Sequence, residues 1–184
     1  MLFRKRFALS LVLILIYAAS DAQIEVDHIT LKEFKSTGFG AFLNFSLPVS
    51  DADYVTLEAG LHYFVDKYDE DLGMIPVLAG YRFTIDRSGT GFYIEPNAGY
   101  VYGSSTIEQY NSLGQEVIDE NGNRAYEKVS GATAGANIGY LFKPGNHIQF
   151  NVALRFEHSF GDFPTNMIGL RIAHAFTFGR RNED

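Results

Sequence analysis

Residues 147–157 have the sequence HIQFNVALRFE, and their side chains alternate between two kinds. Polar, charged or small side chains occupy the odd-numbered positions from Gln149 to Glu157. The even-numbered positions are all apolar: Ile148, Phe150, Val152, Leu154 and Phe156. A period of two residues indicates a β-strand whose two faces meet different environments. Because either face of this strand could be the wet one, the remaining segments have to decide which side meets water.

The same alternation recurs along the rest of the chain. Phe42 interrupts the small and polar face of one such segment, and Pro96, which lacks an N–H donor, predicts a bulge or a local break in another. Residues 103–130 are polar, and Asn121-Gly122 predicts a tight hairpin turn within them. The pattern predicts further strands over residues 38–47, 55–65, 74–84, 92–100, 132–142 and 168–178.

The two faces of these strands differ in charge. In the last six strands the apolar face carries no Asp, Glu, Lys or Arg, whereas the other face is rich in glycine, which suits the crowded inside of a tightly curved sheet. The polar face is therefore predicted to be inside and the apolar face outside, as in a transmembrane β-barrel. Six interior charges, balanced in sign, are expected to form a structural ionic cluster: Glu58, Arg82, Glu95, Arg155, Glu157 and Arg171.

Connection lengths predict the strand number and the orientation. The connections after the second, fourth and sixth strands are short, and those after the third, fifth and seventh are longer. In outer-membrane barrels short turns face the periplasm and long loops face outside. An even number of strands then places both termini in the periplasm, so the irregular segment 24–34 is predicted to be the first of eight strands.

The N-terminus predicts export. Arg4, Lys5 and Arg6 precede an apolar run over residues 11–19, and Ser20 and Ala22 suit a signal-peptidase site. Residues 1–22 are predicted to be a cleaved signal peptide, residues 23–178 the barrel with its external hairpin loop 103–130, and residues 179–184 a short polar periplasmic tail. A membrane anchor is the alternative, but its apolar run is shorter than the ~20 residues that a spanning helix needs.

Composition excludes several classes of function. The chain has a net charge of −7, and removal of residues 1–22 makes it more acidic, because that segment carries three basic residues and one acidic residue. Nucleic acid is not an expected partner, since phosphate binding relies on clustered Lys and Arg. The chain has no cysteine, and therefore no disulfide, thiolate chemistry or bacterial lipoprotein anchor.

Three segments resemble a known family. GFYIEPNAGYVYG from Gly91, GANIGYLF from Gly135 and the final IGLRIAHAFTF, which ends at Phe178, are similar to the OmpA/OmpX-like small eight-stranded outer-membrane β-barrels, also labelled porin-family proteins. The resemblance implies an all-β, antiparallel, up-and-down transmembrane β-barrel in the outer membrane of a Gram-negative bacterium. It also implies contact with outer-membrane lipid and lipopolysaccharide, and assembly by the barrel-assembly machinery, which reads a C-terminal aromatic signal. That family usually ends on the Phe, whereas GRRNED follows here.

An eight-stranded barrel has an interior just wide enough for side chains to fill. The expected function is therefore non-enzymatic, in a monomer that contacts a surface protein partner through residues 103–130. A narrow ion or small-solute channel is the alternative. A lipid-modifying enzyme is a further alternative, because Glu157, His158 and Ser159 lie near the outer rim. Adjacent residues of a strand point to opposite faces, however, so no catalytic residue is expected.

Metal and cofactor sites are not expected. The acidic turns 66–71 and 119–123 could hold a divalent cation, but the second lacks the distal bidentate Glu of a calcium loop, and such turns are more often simply solvated. His62, whose side chain is predicted to face the interior, is expected to join the ionic cluster through hydrogen bonds. The glycine-rich stretches match barrel interior and not a nucleotide fingerprint.

Overall fold

The protein forms a closed barrel of eight antiparallel strands, each paired with its sequence neighbours and β1 with β8. The computed structural model describes residues 19–31, 34–50, 52–111, 113–143, 148–161 and 164–176. The strands are β1 (Ala19–Leu31), β2 (Phe34–Pro48), β3 (Asp53–Val65), β4 (Asp71–Thr84), β5 (Gly91–Ser105), β6 (Gly131–Phe142), β7 (Ile148–Ser159) and β8 (Thr165–Phe176). No helix among these residues is long and apolar enough to cross a membrane.

The predicted strand number and topology are confirmed. β1, predicted by parity alone, pairs with β2 and β8 along nearly its whole length. It begins at Ala19, upstream of the predicted mature terminus at Gln23, and the signal peptide itself stays a prediction because residues 1–18 lie outside the described part. The predicted tail 179–184 and the final Phe178 lie outside it too. Pro96 stays paired with Ala136 of β6, and its side chain faces outward. The pairing of β5 with β4 is interrupted here, between the pair Gly80 and Asn97 and the pair Phe83 and Ile94, so the predicted local break is confirmed.

The barrel is apolar outside and filled inside, as predicted. Side chains on the outer face of β7 are exposed, among them Leu154 and Phe156, whereas the neighbouring Arg155 is fully buried. Tyr63 and Tyr81 are exposed near strand ends, and Tyr100 is exposed further inside β5. The outer surface is therefore an apolar belt around a charged interior, which is the arrangement that lipid requires of a closed sheet.

Phe42, the exception in the sequence pattern, lies inside the barrel. Its ring is buried and makes an edge contact with the His62 ring at 4.7 Å between centroids. Gly60 makes room for it, because a Cβ at that position would overlap the Phe42 ring. One large ring therefore fills the volume that two neighbouring strands leave free, which explains an apolar residue on the polar face.

The two ends of the barrel differ. The terminal end holds the start of β1, the end of β8 and the connections 49–52, 85–90 and 143–147. The loop end holds the connections 32–33, 66–70, 106–130 and 160–164. Only the connection 106–130 is long, because 66–70 and 160–164 have five residues each, no more than 143–147 and fewer than 85–90 at the terminal end. The alternation of short and long connections predicted from the sequence is therefore wrong for two of the three longer connections, since the strands extend further toward that end than predicted.

Candidate functional site

The lumen is the most distinctive feature of the molecule, and Arg155 lies at its centre. One guanidinium nitrogen donates to Glu25 Oε2 at 2.8 Å, and another donates to Glu58 Oε1. Glu157 Oε2 lies 3.9 Å from Arg155 Nε, and the guanidinium stacks 4.8 Å from the centroid of the Phe42 ring. A single buried cation therefore holds carboxylates from three strands, and its charge is met on several sides.

Arg171 and Arg82 extend the same network. Arg171 donates to Glu58 Oε2 at 2.9 Å and lies 3.9 Å from Glu95 Oε1. Arg82 Nε donates to Glu95 Oε2 at 2.5 Å, and Asn137 Nδ2 donates to the other oxygen of Glu95 at 3.1 Å. The structure thus brings all six residues of the sequence-predicted ionic cluster together in one connected, buried network.

Sequence reasoning missed two members. Glu25 and Asp27 of β1 are fully buried in the lumen, and Asp27 Oδ2 lies 2.9 Å from His62 Nδ1. They were missed because the alternation of β1 is weak, so its faces could not be assigned. Within the strands the described buried charges are therefore five carboxylates and three guanidinium groups, and the expected balance of three against three is wrong.

An apolar layer closes the lumen at the loop end. Its barrel members come from β1, β2, β3, β4, β5 and β8, and Val129 is added from the long connection, with Ile107 packed against the layer. The sequence predicted a polar interior along the whole barrel. Between the charged residues and the loop end, however, the inward-facing side chains are apolar. The layer consists of Ile29, Leu31, Phe34, Phe64, Leu72, Met74, Val101, Val129 and Met167, all at most 5% exposed.

The terminal end of the lumen is closed by a smaller group. Tyr93, Leu141 and Ala153 are buried together. The Tyr93 hydroxyl donates to Asn151 Oδ1 at 2.7 Å, and the Arg82 guanidinium lies 5.0 Å from the Tyr93 ring centroid. Side chains therefore occupy the lumen on both sides of the ionic cluster.

The residues considered for catalysis point in opposite directions. Glu157 and Ser159 face the lumen and are buried, and Glu157 Oε1 accepts a hydrogen bond from Thr133 Oγ1 at 3.0 Å. His158 lies on the outer wall, where its Nδ1 is 2.9 Å from Asn166 Oδ1. The barrel wall separates the imidazole from both neighbours, so the structure does not bring the three side chains together.

Both acidic turns use a carboxylate to bind their own backbone. Asp66 Oδ1 accepts the N–H groups of Tyr68 and Glu70, at 2.7 and 3.1 Å. Asp119 Oδ1 accepts those of Asn121 and Asn123, at 2.9 and 2.8 Å. The hydrogen bond from the Asn123 N–H is the main reason that the pKa of Asp119 lies below its ordinary value. These contacts stabilise Asx-type turns, in which the carboxylate binds the N–H groups of the residues that follow it.

The long connection 106–130 folds into three short segments that bond to one another. Gln109 N donates to Ala125 O at 2.9 Å, Val117 N to Gln109 O at 2.9 Å, and Ala125 N to Val117 O at 2.8 Å. The predicted turn at Asn121-Gly122 joins two of the segments, and Gly122 has the positive φ of 82° that such a turn requires. The loop is therefore a small folded unit and not a simple hairpin.

A cavity of about 520 Å³ opens at the loop end, between the connections 66–70 and 106–130. Leu31, Phe34 and Ile107 contribute its apolar lining. Its remaining lining residues are carboxylates and tyrosines: Asp66, Glu70, Glu108, Glu127, Tyr68 and Tyr110. The pKa of Glu70 is raised by partial burial and by the neighbouring charges of Asp66 and Glu108. Concentrated negative charge beside aromatic rings is an arrangement that attracts cations.

Comparison with solved structures finds the same barrel elsewhere. Neisserial surface protein A (NspA) matches at 11% identity with a TM-score of 0.59, over 87% of this chain and 96% of that chain. Ail, the attachment invasion locus protein of Yersinia pestis, matches at 14% identity with a TM-score of 0.56, over 86% of this chain and 97% of that chain. The N-terminal β-barrel domain of Pseudomonas aeruginosa OprF matches at 17% identity with a TM-score of 0.50, over 85% of this chain and 97% of that chain.

No protein-family model matches the sequence, and no curated protein matches it either. The solved structures share the strand number, the closed antiparallel topology and nearly the whole length of this chain. The chain therefore has the fold of the small eight-stranded outer-membrane β-barrels.

Proposed function

We propose that this protein is a non-enzymatic barrel of the Gram-negative outer membrane that acts through its loop end while its lumen stays closed. The observation that carries the proposal is the filled lumen. An ion crossing the barrel would have to displace the apolar layer and then break buried ion pairs centred on Arg155. Opening such a path exposes apolar surface to water and separates charges in a medium that solvates them poorly.

The outer wall supports a location in lipid. Its exposed side chains in the middle of the strands are apolar, and the closed sheet formed by the eight described strands leaves no free edge. With the loop end outside, both termini lie in the periplasm, phospholipid and lipopolysaccharide surround the belt, and the barrel-assembly machinery inserts the chain. A sheet closed in this way also suits a monomer.

The loop end supports a role in binding. Connection 106–130 contains five acidic and two basic residues, and connection 66–70 contains three acidic residues and one basic residue. One Ail structure holds the heparin analogue sucrose octasulfate, a polyanion. This loop end is itself acidic and would repel a polyanion, so we propose instead a basic protein surface as its partner, with Lys or Arg side chains entering the cavity beside Tyr68 and Tyr110.

The binding proposal can be tested with the barrel in nanodiscs. We expect a lysine-rich peptide to bind and a glutamate-rich peptide of equal length not to bind, with affinity falling as salt rises. Replacing Glu70 and Glu108 by Gln should weaken lysine-peptide binding, whereas Glu120→Gln, outside the cavity, is the matched control. Equal binding of both peptides, or equal effects of the two sets of substitutions, would contradict this assignment.

A narrow cation leak is the second candidate function. The excess of carboxylates over guanidinium groups in the lumen favours it, because an acidic pathway attracts cations. Planar-bilayer recording separates the two functions. We expect no single-channel steps from the wild type, whereas reproducible wild-type steps whose conductance changes in Arg82→Ala would establish conduction through the lumen and refute the closed barrel.

We also propose that the protein has no catalytic activity on lipid. His158 is separated from Glu157 and Ser159 by the wall, so the outer face has no assembled nucleophile and base among these three residues. Overexpression should leave the mass spectrum of lipid A unchanged. Loss of an acyl chain on overexpression, abolished by His158→Ala, would show that this proposal is wrong.

A further inference from the structure

Three buried side chains beside the arginine network lie close together in the lumen. Glu25 and Asp27 come from one face of β1, and His62 comes from β3. Each offers one potential ligand atom, and these atoms lie within 4.8 Å of one another. All three residues are fully buried, so the group is part of the interior and not of a solvated surface.

The charge of the lumen leaves room for a cation. Five carboxylates face three guanidinium groups among the described buried charges of the strands, a deficit of two positive charges when His62 is neutral. An uncompensated charge away from water is strongly unfavourable. Glu58 and Glu95 each face two guanidinium groups, whereas Glu25 is paired with Arg155 alone and the described ion pair of Asp27 is with His62. Glu157 also has only a 3.9 Å contact with Arg155, but Glu25 and Asp27 lie together with His62, so most of the deficit lies beside His62.

Unused polar atoms point to the same place. Glu25 Oε1, Asp27 Oδ1 and His62 Nε2 are buried and have no hydrogen-bond partner among the described residues. Buried polar atoms in native proteins nearly always have a partner. Other such atoms occur elsewhere in the lumen, among them Glu157 Oε2 and Arg171 Nε, but these three belong to adjoining side chains that could all bind one ion. Gly169 makes room for the Asp27 carboxylate, because a Cβ there would overlap Asp27 Oδ1.

We propose that Glu25, Asp27 and His62 bind one divalent transition-metal ion of the zinc class inside the barrel. One imidazole nitrogen and two carboxylate oxygens form a donor set that Zn²⁺ accepts, with a fourth position left for water. The ion cancels the deficit of two charges. Arg155 donates to Glu25 Oε2 at 2.8 Å and thereby fixes the orientation of that carboxylate.

The site requires only local rearrangement. Ligand atoms about 2.1 Å from a tetrahedral metal lie about 3.4 Å from one another. His62 Nδ1 and Asp27 Oδ2, now 2.9 Å apart, would open slightly, and the widest spacing, within 4.8 Å, would contract. Since the apolar layer covers the loop end of the lumen, the ion enters as the barrel closes, and bound metal exchanges slowly afterwards.

The test is refolding of the full chain into detergent with Zn²⁺, with Co²⁺ or with Mg²⁺, followed by extensive washing and elemental analysis. We expect about one Zn²⁺ or Co²⁺ per chain and no retained Mg²⁺, which prefers hard oxygen ligands and keeps its waters. The Co²⁺ form should show ligand-field absorption typical of a low-symmetry nitrogen and oxygen site. Heat-modifiable gel mobility should convert at a higher temperature with Zn²⁺ than with EDTA.

Variants locate the ion. Asp27→Asn and Glu25→Gln should each lose most of the retained metal, and the temperature difference between Zn²⁺ and EDTA should disappear. Glu157→Gln is the matched control, because it also removes a buried lumen carboxylate but lies outside the group. If a variant fails to fold, the wild-type metal content and the Co²⁺ spectrum still decide the question.

Two results would overturn the proposal. Wild-type protein refolded with Zn²⁺ that retains none after washing, with the same gel transition in EDTA, would show that protons balance the lumen instead. Metal retained equally by Asp27→Asn and by wild type would place the ion elsewhere on the chain.

Discussion

The lumen and the loop end contain the same pair of chemical groups in opposite surroundings. Arg155 meets Glu25 and Glu58 where all three side chains are at most 4% exposed. Arg124 meets Glu108 and Glu116 on the long connection, where the arginine is 54% exposed. A buried pair whose partner is removed leaves an unsolvated charge, whereas water replaces the partner of an exposed pair. Equal numbers of contacts therefore do not mean equal importance for the fold.

The largest expected effect comes from breaking the buried network. Arg155→Leu leaves Glu25 and Glu58 without their central cation, and it should lower the free energy of unfolding by about 3–5 kcal/mol. Urea titration of the barrel in detergent micelles measures this. Arg124→Leu on the loop is the matched control. Equal midpoints for the two variants would mean that the lumen is hydrated and that burial does not set the strength of its ion pairs.

A charge on the outer wall should have a somewhat smaller effect. Val152 lies near the middle of β7, between its pairing partners Tyr140 and Ile172, and its side chain faces outward. Val152→Arg should cost about 2–4 kcal/mol in lipid vesicles, because the guanidinium faces hydrocarbon at mid-depth. The measurement is urea unfolding in vesicles, and Val152→Ile, which keeps the surface apolar, is the control. A neutral result for the arginine variant would place this face in water.

The smallest expected effect is on the loop. Hydrogen bonds from the Tyr110 hydroxyl and then from Arg124 hold the pKa of Glu108 below its ordinary value. A lowered pKa in the folded state means that these contacts stabilise the loop above the ordinary pKa and are lost as pH falls through the lowered one. NMR titration should show the Glu108 carboxylate protonating at lower pH than in Arg124→Ala. The barrel itself should unfold at the same urea concentration in both proteins.

The sequence predicted the barrel because its pattern follows from simple physics. Lipid outside and a narrow lumen inside impose alternation on every spanning strand, and seven strands show it clearly. β1 shows it poorly, so Glu25 and Asp27 were missed, and with them the negative charge of the lumen. Their inward position could be predicted only from the register with β2 and β8, which pairs Glu25 with Gly40 and Arg171.

The apolar layer was harder to predict for a different reason. Phe64 and Leu72 occupy inward positions, but nothing local distinguishes an inward apolar residue from an irregularity in the pattern. The layer also takes Val129 from a connection whose fold depends on backbone bonds between distant segments. Long-range packing of this kind is set by the closed barrel and has no period in the sequence.

The central claim is that β7 has lipid on one side and a sealed lumen on the other, and spin labels can test the lipid side directly. The chain has no cysteine, so Val152→Cys on the outer wall and Leu113→Cys on the exposed loop give single labelling sites. In lipid vesicles we predict that the label at residue 152 collides with oxygen and is protected from a water-soluble nickel reagent, whereas the label at residue 113 shows the reverse. Nickel access at residue 152 equal to that at residue 113 would contradict the account.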